Sequence, residues 1–305
     1  CFQRMRDEGL FPDSVTFTCA LRACRDMRDI EMGKDIHNEI CNKNLLEKQS
    51  FLGTALVDMY SKCGLLVEAQ EIFDGLPRHD TVLWNALIGG YADQGFGENV
   101  LHHIEKMESE GVYQDAFTSV CCLKAVSSLK LLQRGQKVHM DVTKKGFEYD
   151  LFVINALIYM YAKCCSIVMA ERVFDKLPVQ DTTSWNVLIA GYVEHGLAQE
   201  AMECMEKMYD EGSIPLDAIT TTCSLKACIG IGDFDKGRWI HSQTIKQGLI
   251  HADPTVGISL VEMYAKYNSL DEAKAVFDSV RDQTVIMWGT LLWGYACQGE
   301  SEHVF

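Results

Sequence analysis

The chain has 305 residues, of which 48% are hydrophobic, so it is long and apolar enough to bury a large core. It holds no run of about 18 apolar residues, which argues against a transmembrane span. With 28 Lys and Arg against 43 Asp and Glu, the net charge of −15 argues against a general binder of polyanions, because phosphate contacts need cations. This balance leaves open a site that recognises its partner through neutral side chains.

The 13 cysteines include no Cys-x-x-Cys pair, a spacing common in metal and redox sites. A disulfide framework is not expected in a chain this long and this hydrophobic. We interpret the cysteines as small apolar residues of a reducing compartment. The pattern therefore predicts no metal site and no cofactor.

The N-terminal residues 1–13 are typical of the end of a helix, with a turn at Gly9 and a boundary at Asp13. Because the chain begins at Cys1 inside this pattern and stops inside another at Phe305, we expect it to be a fragment of a longer protein. A targeting peptide would then lie outside it.

A short motif that ends in a histidine shows the period of the chain. It occupies residues 32–37 and returns twice, so that the histidine recurs every 102 residues, as His37, His139 and His241. A fixed step of this size indicates an array of repeats.

Two further motifs recur with nearly the same period, at steps of 101 and 103 residues. A Met-Tyr-x-Lys motif begins at Met59, Met160 and Met263. A motif that runs from a tryptophan to a Gly-Tyr pair begins at Trp84, at Trp185 and, in altered form, at Trp288. We expect all three tryptophans to lie in the core.

These motifs divide the chain into repeats of about 36, 31 and 35 residues in rotation. The predicted complete repeats are 14–49, 50–80, 81–115, 116–150, 151–181, 182–217, 218–253 and 254–284, with partial repeats at 1–13 and 285–305. A tetratricopeptide array would instead keep a constant length of about 34 residues.

Each repeat has the pattern of two antiparallel helices. Trp84, Leu87, Ile88 and Tyr91 lie at i, i+3, i+4 and i+7 and form one apolar stripe. Gly95 follows at the point where helices often end in the left-handed conformation. Because one helix pair cannot bury both of its stripes, neighbours must stack. The sequence predicts an all-α, right-handed α-solenoid of stacked helix-turn-helix repeats.

With the repeats laid out, the chain resembles the pentatricopeptide repeat proteins of the plant PLS class over essentially its whole length. Residues 84–88 carry the resemblance for the P repeat, residues 32–37 for the L repeat and residues 155–164 for the S repeat. On this resemblance the L repeats are 14–49, 116–150 and 218–253, the S repeats are 50–80, 151–181 and 254–284, and the P repeats are 81–115 and 182–217, with partial P repeats at 1–13 and 285–305.

The resemblance implies sequence-specific binding of single-stranded RNA in a mitochondrion or chloroplast, with one nucleotide facing each repeat. It implies that the array directs C-to-U RNA editing or other RNA processing, and that small organellar editing factors dock on L repeats such as 116–150 and 218–253. Members of this class often end in a cytidine deaminase domain. The chain itself contains none, so we expect it to have no enzymatic activity. We expect neither a membrane nor a DNA partner.

The family reads bases mainly through the fifth and the last residue of each repeat. The pairs implied here are Thr54 with Asp80, Asn85 with Asp115, Asn155 with Asp181, Asn186 with Asp217, and Thr222 with Asp253. By the family's code the three Asn–Asp pairs indicate U, the first Thr–Asp pair indicates G, and the second indicates G only weakly. The remaining repeats are left open or depart from the usual pairs, at Val120 with Asp150, Ile258 with Thr284, and Thr18 with Gln49. In the partial repeat, Gly289 has no side chain to read with.

These residue types suit base recognition, but each also has a simpler explanation. Asn85 follows Trp84 by about 100° of helix, so it faces away from the core if Trp84 faces inward. Its carboxamide offers one acceptor and two donors to a base edge, but it could equally be a solvent-facing polar residue. An Asp that precedes a helix also caps free backbone N–H groups. The two roles of the Asp residues are compatible.

The second residue of each repeat is the family's base-stacking position, occupied here by Phe51, Val82, Phe117, Phe152 and Thr183 among others. Packing between helices at the edge of the solenoid is the alternative. The S repeats share a lysine at position 13, as Lys62, Lys163 and Lys266. These lysines are candidate phosphate contacts, or else solvated side chains favoured by the helix dipole.

One motif imitates a catalytic site. His37-Asn38-Glu39 matches the His-x-Glu of zinc deaminases, but the chain lacks the Pro-Cys-x-x-Cys that completes the metal site. We therefore expect no catalysis there. The alternative function is a protein- or peptide-binding scaffold like a tetratricopeptide array, whose groove would carry Lys and Arg clamps.

Overall fold

Residues 1–46, 49–212 and 215–299 are described by a computed structural model, in which every regular element is a helix. Among the described residues, no helix combines the length and the hydrophobicity that a membrane span requires. The chain forms two compact units, an N-terminal unit of residues 1–160 and a C-terminal unit of residues 161–305. Residues 300–305 of the predicted partial repeat 285–305 lie outside the described residues.

The N-terminal unit contains nine complete α-helices among its described residues. They are α1 (Phe2–Asp7), α2 (Ser14–Met27), α3 (Ile30–Asn42), α4 (Ser50–Lys62), α5 (Leu66–Gly75), α6 (Thr81–Asp93), α7 (Gly97–Ser109), α8 (Ala116–Ser128) and α9 (Leu132–Lys144). A short 3-10 helix (Phe147–Tyr149) and then α10 (Leu151–Lys163) follow, and the division between the units falls inside α10.

The C-terminal unit continues with helices of the same kind. They are α11 (Ile167–Phe174), α12 (Thr182–Glu194), α13 (Ala198–Gly212), α14 (Ala218–Ile231), α15 (Phe234–Gln247), α16 (Leu249–Ala252), α17 (Pro254–Lys266), α18 (Leu270–Ser279) and α19 (Val285–Gln298).

Within each unit the helices form pairs that stack. In the N-terminal unit the first helices α2, α4, α6 and α8 pack on one another in chain order, and each second helix packs on its own first helix. In the C-terminal unit α12, α14, α17 and α19 pack in the same way. One helix of each pair therefore lines one side of the stack, which is the α-solenoid predicted from the sequence.

The apolar stripe predicted on α6 lies in the core. Trp84, Leu87 and Ile88 are fully buried, and Tyr91 is half-buried. The indole ring of Trp84 packs edge-on against Phe73, with ring centroids 4.5 Å apart. The helix ends as predicted in a left-handed glycine, because Gly95 has φ +79°.

The third tryptophan is more exposed than the sequence predicts. Trp288 packs edge-on against Phe277 at 4.5 Å, in the same way as its two counterparts, yet 48% of its surface is exposed. It lies on α19, and no helix follows α19 within the described residues. The expectation of a core tryptophan is therefore wrong for this copy.

The cysteines are free thiols, and those that are buried fit the interpretation as small apolar residues. Burial raises the pKa values of Cys121 and Cys122 to about 12, so both stay protonated. The interpretation does not extend to the exposed members, which are Cys1, Cys19, Cys41, Cys165 and Cys297.

Neighbouring first helices approach closely at the glycine of each Gly-Tyr pair. A Cβ atom added at Gly90 would lie 2.7 Å from Ser61 Oγ and 3.2 Å from Ser61 Cα, on the preceding first helix. At Gly191 and Gly294 the added atom would lie 2.9 Å from the Cβ of Ala162 and of Ala265. Glycine is thus required at this contact by space rather than by backbone conformation.

We expect Gly90→Ala to lower the free energy of unfolding by about 1–3 kcal/mol, the usual cost of overpacking a close contact. The matched control is Gly75→Ala at the end of α5, where an added Cβ meets no atom within 4 Å. The control should be neutral or stabilising by up to about 1 kcal/mol, because Ala is the better helix former. Urea unfolding of both variants measures the difference, and equal stabilities would contradict the close approach.

Candidate functional site

The predicted pair Asn85 and Asp115 forms one hydrogen-bonded network with a third residue, Thr118. Asn85 Nδ2 donates to Asp115 Oδ2 at 2.8 Å, and the Thr118 hydroxyl donates to Asn85 Oδ1 at 2.7 Å. The backbone N–H of Thr118 donates to Asp115 Oδ1 at 2.9 Å. Helices α6 and α8 supply the asparagine and the threonine, and the aspartate is the N-cap of α8.

The second predicted P repeat, residues 182–217, has the same network in the C-terminal unit. Asn186 Nδ2 donates to Asp217 Oδ2 at 2.6 Å, and the Thr220 hydroxyl donates to Asn186 Oδ1. The backbone N–H of Thr220 donates to Asp217 Oδ1 at 2.8 Å. Two separate copies of one arrangement show that it belongs to the repeat and not to one local packing solution.

In both copies the aspartate caps a helix, as the simpler explanation predicts, and it also binds the asparagine of its own repeat. One carboxylate oxygen caps the next helix, and the other holds the asparagine of its own repeat. A carboxylate only accepts hydrogen bonds, so the amide nitrogen of the asparagine must face it and the carbonyl oxygen must face the threonine. The network thus defines the orientation of the carboxamide.

The fifth position does not simply face away from the core, as the helix geometry suggests. Asn85 is half-buried, and Asn186 is only 6% exposed. Both side chains turn toward the first helix of the following repeat, where the aspartate and the threonine bind them. The expected separation into an inward tryptophan and an outward asparagine is therefore only partly right.

The other predicted readers are placed differently. Asp80, Asp181 and Asp253 cap the helices that follow them through their side chains, and the Thr255 hydroxyl and backbone N–H lower the pKa of Asp253. Thr54 lies half-buried on α4, and Asp80 is exposed.

Two of the predicted readers have a buried polar atom without a hydrogen-bond partner among the described residues. They are Asn155, through Oδ1, and Thr222, through Oγ1. Asn155 belongs to the N-terminal unit and its predicted partner Asp181 to the C-terminal unit.

The predicted stacking residues are exposed side chains. Phe51, Val82, Phe117 and Phe152 are 47% to 82% exposed, and Thr183 is exposed as well. Such exposure disfavours the alternative in which this position packs between helices. Phe117 is partly exposed and also packs against a helix, because its ring lies against α6 with Cζ 3.0 Å from the place of an added Cβ at Gly89.

The S-repeat lysines lie beside acidic or aromatic partners. Lys62 Nζ forms an ion pair with Asp93, and Lys163 Nζ lies 2.6 Å from Glu194 Oε1. Lys266 Nζ instead lies 4.4 Å from the ring centroid of Trp293. No carboxylate occupies the equivalent position there, because Cys297 replaces Asp93 and Glu194 two residues after the Gly-Tyr pair. Sequence reasoning did not identify these acidic partners.

The residues of the deaminase-like motif do not converge on a site. His37 is half-buried with Nδ1 at 3.0 Å from the Tyr60 hydroxyl, and burial lowers its pKa. Glu39 forms an ion pair with Lys43 at 2.8 Å. His241 repeats the contact with Tyr264 at 2.7 Å. Across the described residues, no group of three or more His, Cys, Asp or Glu side chains could hold a metal ion.

The two threonines of the networks were not identified from the sequence. A signal was available, since the third residue of every predicted L repeat is a threonine, as Thr16, Thr118 and Thr220. Thr16 lies in the repeat that follows the partial repeat 1–13, and its hydroxyl donates to Asp13 Oδ1 at 2.6 Å.

Comparison with known proteins shows similarity to one family. The PPR repeat model matches residues 54–80, 82–112 and 183–213. A chloroplastic pentatricopeptide repeat-containing protein of Arabidopsis thaliana is 34% identical over 300 residues, which cover 98% of this chain and 36% of the relative. A mitochondrial one from the same plant is 34% identical over 299 residues, covering 98% and 29%. The chain thus spans about a third of the length of these relatives, whose organellar locations agree with the predicted mitochondrion or chloroplast.

The fold is similar to that of the pentatricopeptide repeat protein PPR10 in its crystal structure with an 18-nt psaJ RNA element. The TM-score is 0.75 at 16% identity, over 99% of this chain and 45% of that chain. A further crystal structure of PPR10, from maize, matches with a TM-score of 0.55 at 15% identity, over 99% of this chain and 54% of that chain. At these identities the likeness concerns the fold, and it confirms the predicted all-α solenoid.

Proposed function

The chain belongs to the pentatricopeptide repeat family, and we propose that it binds single-stranded RNA with one nucleotide facing each repeat. The observation that carries the proposal is the Asn–Asp pair of the two complete P repeats, with Nδ2–Oδ2 distances of 2.8 Å and 2.6 Å. The similar fold of PPR10, which was crystallised with RNA, supports it.

We propose that Asn85 and Asn186 each read a uracil. In the network each carboxamide uses one N–H for the aspartate and one lone pair of its oxygen for the threonine. One N–H and one lone pair remain, which is enough for two hydrogen bonds to the edge of an unstacked base.

The exposed second residues provide the apolar surfaces between which a base could stack. The nucleotide read by Asn85 would lie between Val82 of its own repeat and Phe117 of the next, which are 64% and 49% exposed. Stacking of this kind contributes roughly 1–3 kcal/mol per base. Stacking would contribute affinity that does not depend on Lys and Arg, which this acidic chain has in smaller number than Asp and Glu.

Within the cell we propose that the chain is the specificity module of an organellar protein of the PLS class. It would direct C-to-U editing or another RNA-processing step without chemistry of its own. Small organellar editing factors would dock on the L repeats 116–150 and 218–253. These assignments follow from the family resemblance.

The base assignment is tested by binding of the purified chain to single-stranded RNAs that carry G-U-N-U-U. Read 5′ to 3′, these are the bases implied for the five repeats from 50–80 to 182–217 in chain order. Each position is permuted in turn. Asn85→Thr should move the preference from U toward G at the nucleotide facing that repeat and leave the nucleotide facing Asn186 unchanged. Fluorescence anisotropy at low salt measures the dissociation constants. An unchanged preference would contradict the assignment, and binding of peptides without binding of RNA would favour the scaffold alternative.

The lysine assignment gives a separate prediction. If Lys62 contacts a phosphate, Asp93 competes with the RNA for it, so Asp93→Asn should tighten binding and steepen the salt dependence by about 0.7 in log Kd per log salt. Glu71→Gln on α5 is the control, because it makes the same change in net charge. Equal salt slopes for the two variants would show that Lys62 does not meet the RNA backbone.

A further inference from the structure

The third member of each P-repeat network comes from the repeat that follows. Thr118 and Thr220 occupy the third position of the next repeat, and both are fully buried. Each hydroxyl lies within hydrogen-bond distance of the asparagine carbonyl and of the aspartate. No position of this kind is among the readers that the family's code uses.

The threonine hydroxyl has one proton to donate, and the geometry shows where it goes. The distance from Thr118 Oγ1 to Asn85 Oδ1 is 2.7 Å, and to Asp115 Oδ1 it is 2.9 Å. Asp115 Oδ1 already accepts the backbone N–H of Thr118 at 2.9 Å. The asparagine carbonyl, which no other group satisfies in the network, is therefore the better acceptor for the hydroxyl proton.

Two partners thus hold the carboxamide in one orientation. If it turned over, its carbonyl oxygen would face the carboxylate of Asp115, and two acceptors would meet without a proton between them. Its amide nitrogen would then face the Thr118 hydroxyl oxygen, which already accepts the backbone N–H of Asp115 at 3.3 Å, and the hydroxyl proton would lose the asparagine carbonyl as its acceptor. The aspartate disfavours this turn because two acceptors would meet, and the threonine disfavours it because its better acceptor is lost.

The orientation of the carboxamide matters because uracil and cytosine present reversed orders of hydrogen-bond donor and acceptor. On the pairing edge, uracil offers a carbonyl acceptor beside an N–H donor, whereas cytosine offers an amino donor beside a ring-nitrogen acceptor. A carboxamide that turns over freely can match both bases, and a carboxamide held in one orientation matches one of them. The remaining N–H and lone pair of a fixed asparagine therefore distinguish two bases of the same size.

We infer that Thr118 and Thr220 are positioning residues that fix Asn85 and Asn186 in the orientation that accepts uracil and rejects cytosine. This inference rests on the proposed function. It makes the selectivity of one repeat depend on a residue of the next.

The test compares RNAs that differ only in U or C at the nucleotide facing Asn85, bound by the whole chain. In Thr118→Val the preference for U over C should fall by about fivefold, the factor that one ordinary hydrogen bond carries. The U-over-C preference at the nucleotide facing Asn186 should not change. Thr220→Val should give the reciprocal result, and Thr118→Ser, which keeps a hydroxyl, should retain the preference.

A uniform loss of affinity for all RNAs, with unchanged U-over-C ratios, would show that the threonines only stabilise the fold and would overturn the inference. Circular dichroism melts of each variant identify any that fail to fold, and the Thr220 and Ser variants carry the test in that case. Failure of the proposed function has a different signature, namely wild-type chain that binds no RNA or shows no preference that Asn85→Thr changes. In that case the inference falls together with the function.

Discussion

The site depends on a single carboxylate that has two partners. At the end of each of the two predicted P repeats, one oxygen of the aspartate accepts a backbone N–H in the first turn of the next helix, and the other accepts the asparagine amide. The first contact fixes where the next repeat starts, and the second fixes the side chain that we propose as the reader. The start of one repeat and the orientation of the reader before it are thus set by the same group.

The asparagine and the aspartate are 30 or 31 residues apart in sequence. Their hydrogen bond therefore requires neighbouring first helices to lie close together. At the first of these interfaces the Phe117 ring of α8 lies against Gly89, with Cζ 3.0 Å from the place of an added Cβ. Gly90 and Gly191 permit the close approach of the first helix that precedes them. Buried aromatic contacts such as Phe73 with Trp84 hold the second helix of one repeat against the next repeat. Packing in the core therefore positions the polar network at its edge.

Much of this follows from the sequence. The period of the motifs predicts the helix pairs, the spacing from Trp84 to Tyr91 predicts the buried stripe, and an aspartate before a helix predicts a cap. The pairing of Asn85 with Asp115 came from the family resemblance and not from periodicity. What remained hidden depends on contacts between repeats, such as the ion pair of Lys62 with Asp93 and the burial of Asn186. Helical periodicity describes one helix at a time, so it does not show which side chains of a neighbouring repeat cover a given residue.

The acidic character of the chain fits a reader that relies on neutral amides and apolar surfaces. We propose that a uracil lies between Val82 and Phe117 and is read by Asn85 while Asp115 still holds that asparagine. A crystal structure of the chain with an RNA that carries U at this nucleotide would show whether this contact forms. We expect a base edge about 3 Å from Asn85 Nδ2 and an unbroken hydrogen bond from Asn85 to Asp115. An RNA bound to another surface, or a base that does not reach Asn85, would contradict the proposal.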